Sequence, residues 1–256
     1  MKHLILSDIH ANLEALEAVL ASSGRYDTVL LLGDYVGYGA DPNAVIDRVR
    51  QLPVSAQIRG NHDKVAAGIA DVEGFNHIAR EAITWTARML NPENRAWLAA
   101  VPEGPAIVDE AVEICHGTTF DEDAYVFDDL DALRSLRSAR RPLCLYGHTH
   151  VPAVFRFGAN DPNANRPSSG GSLDLIGPPR GASSTLTLEG GFQYLVNCGA
   201  VGQPRDGDAR AAFGVLDTEA GTVVMQRVAY DVGAAQAKIL KAGLPDVLAQ
   251  RLGVGR

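Results

Sequence analysis

Leu30-Leu31-Leu32-Gly33-Asp34-Tyr35-Val36-Gly37-Tyr38-Gly39 is an apolar run that stops abruptly at a glycine, places a carboxylate next, and continues into a glycine-spaced loop. A buried strand ending at Gly-Asp points its acid outward at the carboxyl end, where open α/β sheets place their chemistry. Many strand-to-loop turns carry this pair for turn geometry alone. The weight of Asp34 therefore rests on what stands at the ends of the neighbouring strands.

On the amino-terminal side, Leu4–Leu6 reads as a buried strand that ends at Ser7-Asp8-Ile9-His10. Asn12 is placed to cap a helix whose apolar positions are Leu13, Leu16, Val19 and Leu20, closed by Ser22-Ser23-Gly24. Thr28–Leu32 is the second strand. Asp41 caps and Pro42 opens a second helix with a stripe of Ala44, Val45, Ile46 and Val49. Ser55–Ile58 is the third strand and runs into Arg59-Gly60-Asn61-His62-Asp63. Strand, helix, strand, helix, strand at this spacing predicts parallel βαβ units.

Beyond them the pattern predicts helices over Asn76–Leu90 and Pro92–Ala100, with Trp85 and Trp97 as packing residues. Ala106–Val108 and Ala111–Cys115 form a hairpin turned at Asp109-Glu110 and ending at His116-Gly117. A helix carrying Leu130, Leu133 and Leu136 leads to a strand at Leu143–Tyr146, which ends at Gly147-His148-Thr149-His150. Val151–Phe157 alternates like a strand. Gly158–Ser184 has no periodicity and reads as a structureless stretch, either a mobile surface insertion or a substrate lid. Strands resume at Thr185–Leu188, Phe192–Val196, Phe213–Leu216 and Thr222–Val228, followed by a C-terminal helix. No repeat or composition break divides the chain, so residues 1–256 are expected to form one domain.

The formal net charge of -8 argues against avid non-specific binding to nucleic acid or an anionic membrane. A small phosphorylated substrate is still compatible if metal ions reverse the charge locally, and nucleic acid then enters only as a substrate. The acid at position 8 cuts the first apolar run too short for a signal-peptide core, and no stretch is long enough to span a bilayer. Cys115, Cys144 and Cys198 show neither zinc-ligand nor redox spacing and read as buried thiols of a cytoplasmic protein.

Five strand ends thus carry candidate ligands: Asp8 with His10, Asp34, Asn61 with His62, His116, and His148 with His150. In an extended strand, residues i and i+2 share a face, which would aim each Asp/His or His/His pair at one point. Excluding His62, carboxylate, amide and imidazole donors suit two divalent first-row ions: manganese first, with iron, cobalt, nickel or zinc as alternatives. Two ions about 3.5–4 Å apart clamp an in-line displacement at phosphorus, with a bridging hydroxide as nucleophile. His62 fits a proton donor to the leaving oxygen, and Asp63 is placed to orient it and keep it protonated.

Asp8-x-His10, Gly33-Asp34, Gly60-Asn61-His62-Asp63, His116 and Gly147-His148-Thr149-His150, in this order, resemble the calcineurin-like metallophosphoesterases. The resemblance implies a four-layer α/β/β/α sandwich with the dimetal site at the strand ends. It assigns Asp8, His10 and His150 to one metal and Asn61, His116 and His148 to the other, with Asp34 bridging. His62 matches the family's catalytic histidine that binds no metal. Gly33-Asp34-Tyr35-Val36-Gly37-Tyr38-Gly39 with Pro42-Asn43, and Val201-Gly202-Gln203-Pro204-Arg205-Asp206-Gly207, look like a branch of small bacterial and archaeal phosphodiesterases. Cys198 departs from that branch, which has an Asn-Pro-Gly turn there.

Arg205 and Arg59 are candidate phosphate contacts, and Tyr35 and Tyr38 candidate residues of the entrance. His3 and His77 read as structural or solvated. The expected substrate is a small phosphodiester or nucleotide-like molecule. Serine/threonine phosphatase or dinucleoside-polyphosphate phosphatase activity is the enzymatic alternative. A non-catalytic protein scaffold, as some members of the superfamily are, is the alternative of another class. The oligomeric state is left open.

Overall fold

The computed structural model of the protein describes residues 1–158, 172–176 and 181–256. The first half runs β1 (Lys2–Leu6), α1 (Leu13–Ser22), β2 (Thr28–Leu31), α2 (Pro42–Val49), β3 (Val54–Gln57), α3 (Asn61–Ala67), α4 (His77–Met89) and α5 (Pro92–Ala100). Next come β4 (Ala106–Ile107), β5 (Val112–Ile114), α6 (Asp129–Ser138), β6 (Leu143–Tyr146), β7 (Ala153–Gly158) and β8 (Ser172–Ile176). The chain ends with β9 (Ser183–Thr187), β10 (Phe192–Asn197), β11 (Ala211–Asp217), β12 (Thr222–Val228), α7 (Val232–Lys241) and α8 (Asp246–Val254).

The strands form two six-stranded mixed sheets, ordered β3-β2-β1-β11-β12-β9 and β4-β5-β6-β10-β7-β8. β1, β2 and β3 run parallel in the first, and β5, β6 and β10 run parallel in the second. The central strands are apolar on both faces, and each face meets a different layer. In β1, Leu4 and Leu6 pack with Leu16 and Val19 of α1 and with Val45 and Ile46 of α2. Ile5 faces the other way, into a core shared with Leu143 and Leu145 of the second sheet. In β6 the alternation repeats: Cys144 and Tyr146 face Ala132 and Leu136 of α6. Helices, sheet, sheet, helix is the expected α/β/β/α sandwich. Trp97 packs edge-on against Tyr35, ring centroids 5.4 Å apart.

Local signals place most helix ends. Asn12, Asn76 and Asp128 each accept from backbone N–H groups of the turn they cap. Asp41 holds the cap position of α2 without a capping bond; its carboxylate receives Lys238 Nζ at 2.7 Å instead.

Three features differ from the sequence reading. The stretch over Gly158–Ser184 is not wholly structureless, because Ser172–Ile176 pairs with β7 at the edge of the second sheet. Its remainder at 159–171 and 177–180, and with it the choice between insertion and lid, lies outside the described residues. The C-terminal helical segment is two helices, broken at Gly243 (φ 71°), a left-handed position that glycine takes freely. Asn61–Ala67 is helical where only a strand end was expected. Among the described residues, no helix is long and apolar enough to cross a membrane.

Candidate metal centre

The segments leaving β1, β2, β3, β5 and β6 converge at one end of the two sheets. The paired candidates do not lie on extended strand. Asp8 (φ 54°), His10 (φ 49°), Asp34 (φ 55°), His148 (φ 65°) and His150 (φ 59°) are all left-handed, beyond the last strand residues. Period-two alternation therefore does not aim them. Such a conformation costs a non-glycine residue about 1–3 kcal/mol and persists only where the surroundings over-determine it. They do so here. Asp8 N donates to Gly33 O at 3.0 Å, His10 N to Asp34 O at 2.9 Å, and Ala11 N to Tyr35 O at 2.9 Å. Glycines let the turns interlock: a Cβ on Gly60 would collide with Asp34 Oδ1, and one on Gly147 with Ser7 Oγ.

Each imidazole is oriented by a backbone carbonyl. His10 Nδ1 pairs with Val36 O at 3.0 Å, His116 Nδ1 with Leu32 O at 2.7 Å, and His150 Nδ1 with Gln203 O at 2.6 Å. A ring nitrogen facing a carbonyl oxygen must carry the hydrogen, so Nε2 of these three rings is left as the ligating atom. His148 is reversed. Its Nε2 faces Asp123 O at 3.1 Å, leaving Nδ1.

The ligand atoms fall into two groups that share one residue: Asp8, His10, Asp34 and His150, and Asp34, His116 and His148. Asp34 Oδ2 stands 3.5 Å from His10 Nε2 and 3.3 Å from His116 Nε2, while Oδ1 accepts the His62 N–H at 2.9 Å. One carboxylate oxygen thus faces both groups. Nε2 of His10 and Nε2 of His150 face each other at 3.0 Å, and His150 Nε2 is 3.3 Å from Asp8 Oδ1. Two imidazole lone pairs at that separation repel unless a cation lies between them. Donors about 2.1 Å from one ion can span the distance. Asn61 Oδ1 and His116 Nε2 are buried without a well-formed hydrogen bond. A pair of divalent ions would engage these atoms, so the residues fit the group.

Burial pushes His10 and His150 well below the usual histidine range, and His148 to about 3, which keeps these rings neutral as ligands must be. Burial also raises Asp8 to about 6. At Asp34, burial works upward, but the imidazoles of His116, His62 and His10 together hold the carboxyl well below the usual range. At His116, burial works downward, and Asp34 with Asp8 overcomes it, raising the ring to about 10.

His62 lies beside this centre, its ring centroid 4.9 Å from that of His10 and 4.5 Å from that of Tyr38. Burial lowers it to about 4, and the guanidinium of Arg205 adds to that, so the ring is neutral rather than held protonated. Asp63 does not orient it. The Asp63 carboxylate instead accepts the backbone N–H groups of Asp34 (2.7 Å), Gly60 (2.8 Å), Tyr35 (2.9 Å) and Val36 (3.3 Å). Its work is to lock the Asp34 turn.

Two candidate substrate contacts are also corrected. Tyr35 is fully buried and donates its hydroxyl to Ile58 O at 3.0 Å, away from any entrance. Arg59 is held by both oxygens of Glu122 and by Glu103, so its charge is already matched. Tyr38 and Arg205 do reach the site: the guanidinium lies over the Tyr38 ring, 5.5 Å from its centroid, and donates to Gln203 Oε1 at 3.0 Å. At Cys198 the turn forms without proline, closed by Gly199 N donating to Asn197 Oδ1 at 2.7 Å. His3 is buried, its Nδ1 2.7 Å from Thr28 Oγ1.

Ser7, Phe75, Glu122, Asp123, Tyr125 and Gln203 were not singled out from the sequence. Ser7 donates to Asp8 Oδ2 at 2.6 Å, and its position before the ligand was the one available signal. The others arrive from distant segments.

The profile of the calcineurin-like phosphoesterase superfamily domain matches residues 1–221. An uncharacterized protein of Methanocaldococcus jannaschii is 32% identical over 98% of this chain and 97% of its own. A solved metallophosphoesterase from Sphaerobacter thermophilus is similar at 36% identity, with a TM-score of 0.84 covering 100% of this chain and 99% of that one. A hypothetical protein from Pyrococcus horikoshii OT3 shares the fold at 18% identity, with a TM-score of 0.75 over 100% and 98% of the two chains.

Proposed function

The chain belongs to the calcineurin-like phosphoesterase superfamily, and on that premise we propose that it is a manganese-dependent phosphodiesterase. The observation that carries the reading is Asp34 Oδ2, placed 3.5 and 3.3 Å from imidazole nitrogens of two separate ligand groups. Asp8, His10 and His150 would hold one ion, Asn61, His116 and His148 the other, with Asp34 shared. Mixed oxygen and imidazole donors without thiolate support manganese. When bound, such a pair supplies a nucleophile from water near neutral pH and offsets charge on the phosphoryl oxygens.

The rest is the work of side chains. His62, neutral and adjacent, offers a ring N–H as hydrogen-bond donor to an oxygen of the ester. The Arg205 guanidinium takes a phosphoryl oxygen from the His150 side, where the backbone N–H of Arg205 donates to His150 O at 3.2 Å. Arg59 and Lys64 are committed to carboxylates, so Arg205 is the free cation among the described residues around the centre. The choice of a diester over a monoester is supported by the segments Gly33–Gly39 and Val201–Gly207, which resemble those of small phosphodiesterases. Retention of His62 and the full donor set speaks against a scaffold.

Hydrolysis of bis-p-nitrophenyl phosphate and p-nitrophenyl phosphate by metal-stripped and Mn²⁺-restored protein tests the reading. Expected are Mn²⁺-dependent cleavage, preference for the diester, and a fall of about 10²–10⁴ in His62→Ala with metal content kept. Undiminished turnover without metal, or a monoester preference, refutes it.

A further inference from the structure

Beside the centre lies a cleft of about 280 Å³, onto which Asn61, His62 and His148 open. Its size is near the lower end for small-molecule sites and holds one modest chemical group. Three aromatic residues line it: Tyr38, Phe75 and Tyr125. Phe75 stands edge-on to His62, centroids 4.7 Å apart. Tyr125 lies flat on the His148 ring, centroids 3.8 Å apart, and carries Phe127 on its other face at 4.8 Å. Both faces of Tyr125 are therefore taken and Tyr38 is buried with Arg205 over its ring, which leaves the half-buried Phe75 as the remaining aromatic side chain of the cleft.

The charges in this lining are unlike those across the centre. Lys64 is its one cation, and the ammonium is already bound by Glu122 and Asp123. Asp71 and Asp123 add carboxylates of the opposite sign. The free guanidinium of Arg205 is not part of this lining; it lies over the ring of Tyr38 at the edge of the cleft, 5.5 Å from the centroid. An anionic group entering the cleft would meet the carboxylate of Asp71 and no unpaired cation in the lining, whereas an uncharged ring would meet aromatic surface.

We propose that this cleft is a subsite for a flat, uncharged, ring-bearing arm of the ester, such as an aryl or nucleobase-bearing alcohol. The inference rests on the phosphodiester reading and narrows it, since it excludes arms that continue into further phosphates. The phosphoryl group sits at the centre with its charge toward Arg205, and the arm extends past His62 toward Phe75.

Calorimetric titration of Mn²⁺-loaded protein with the phosphinate analogues of dimethyl phosphate, methyl phenyl phosphate and methyl 4-carboxyphenyl phosphate, in which P–C bonds replace both ester bonds so that nothing can be cleaved, tests this apart from turnover; each analogue is called by its ester below. Methyl phenyl phosphate is expected to bind about tenfold tighter than dimethyl phosphate, in keeping with ring stacking. The added carboxylate should erase most of that gain. Phe75→Leu, which keeps apolar volume without the ring, should bring the phenyl ester close to the dimethyl ester at unchanged metal content. Equal affinity of phenyl and methyl esters overturns the inference. So does a carboxyphenyl ester that binds as tightly as the phenyl ester, or a full ring preference retained in Phe75→Leu. If the ring preference holds while no diester is cleaved, the catalytic reading fails and the subsite stands.

Discussion

Replacing Asp34 by Asn probes the sharing of one carboxylate between two ions with almost no change of shape. Asp34 Oδ1 accepts the His62 N–H at 2.9 Å, and Oδ2 faces His10 Nε2 and His116 Nε2 at 3.5 and 3.3 Å. In Asn, the buried His62 N–H demands an acceptor, so the amide oxygen takes the Oδ1 position. The NH₂ group then occupies the Oδ2 position and turns hydrogens, not lone pairs, toward both ligand groups. The flipped amide would press NH₂ against the His62 N–H, leaving a buried donor unpaired at a cost of about 1–3 kcal/mol. Either way the shared anionic ligand is lost. Removing residues that merely support a ligand typically weakens metal binding 10–100-fold, so loss of the ligand itself should cost on the order of 100-fold or more. The loss should appear at both sites. Bound Mn²⁺ measured after equilibration against a graded chelator reads this directly, with His10→Ala as the comparison that should weaken mainly one ion. An Asp34→Asn protein that loses one equivalent and keeps the other at wild-type affinity refutes the sharing.

Asp63→Ala should lower the free energy of unfolding by roughly 4 kcal/mol or more, because four backbone N–H groups lose their acceptor at about 1 kcal/mol or more each. His62→Ala should change it far less, and equal denaturant midpoints for the two variants would sink the role given to Asp63. In metal-free protein, His116 holds a proton up to about pH 10 and Asp8 up to about pH 6, both above their unfolded values. The folded state then binds more protons than the unfolded one, so these groups make stability fall as pH rises, across about pH 4–6 for Asp8 and about 6.5–10 for His116. Metal binding must expel the His116 proton, so affinity should rise with pH over the upper window. Calorimetry near pH 8 in buffers of different ionisation enthalpy should show at least one proton released, that of His116 besides any from metal-bound water, and a buffer-independent heat would contradict the His116 assignment.

The sandwich was legible because its central strands are buried on both faces. Leu30-Leu31-Leu32 has no polar face to confuse the reading, and the segments carrying Asp8, Asp34 and His148 follow such runs closely. The identity of the donors was legible for the same reason. Their conformation was not. The left-handed turns at Asp8 and His10 are held by carbonyls of Gly33 and Asp34, and the His150 ring by that of Gln203, contacts that local spacing cannot encode. Adjacency of His62 and Asp63 suggested a pair, but both lie in the first turn of α3. Successive residues of a helix point about 100° apart and do not face each other. Tyr35 and Tyr38 share a residue type and a loop, and tertiary packing alone sends one into the core and the other to the site. Phe75 and Tyr125 carry no periodic signal at all.

The two halves of the centre are built differently, and the difference bears on how function is distributed. On the His10 and His150 side, carbonyls of Val36 and Gln203 fix the rings with Nε2 as ligand, and Arg205 stands free. On the other side, Asp123 does two jobs at once. Its carbonyl oxygen faces His148 Nε2 and so selects Nδ1 for the metal, while its carboxylate binds Lys64 in the cleft. Tyr125, two residues on, lies flat against that same His148 ring. The segment that shapes the cleft is thus the segment that sets one metal ligand. Substitutions there should change arm preference and the affinity of one ion together, whereas changes at Arg205 should alter phosphate binding and leave the metals in place.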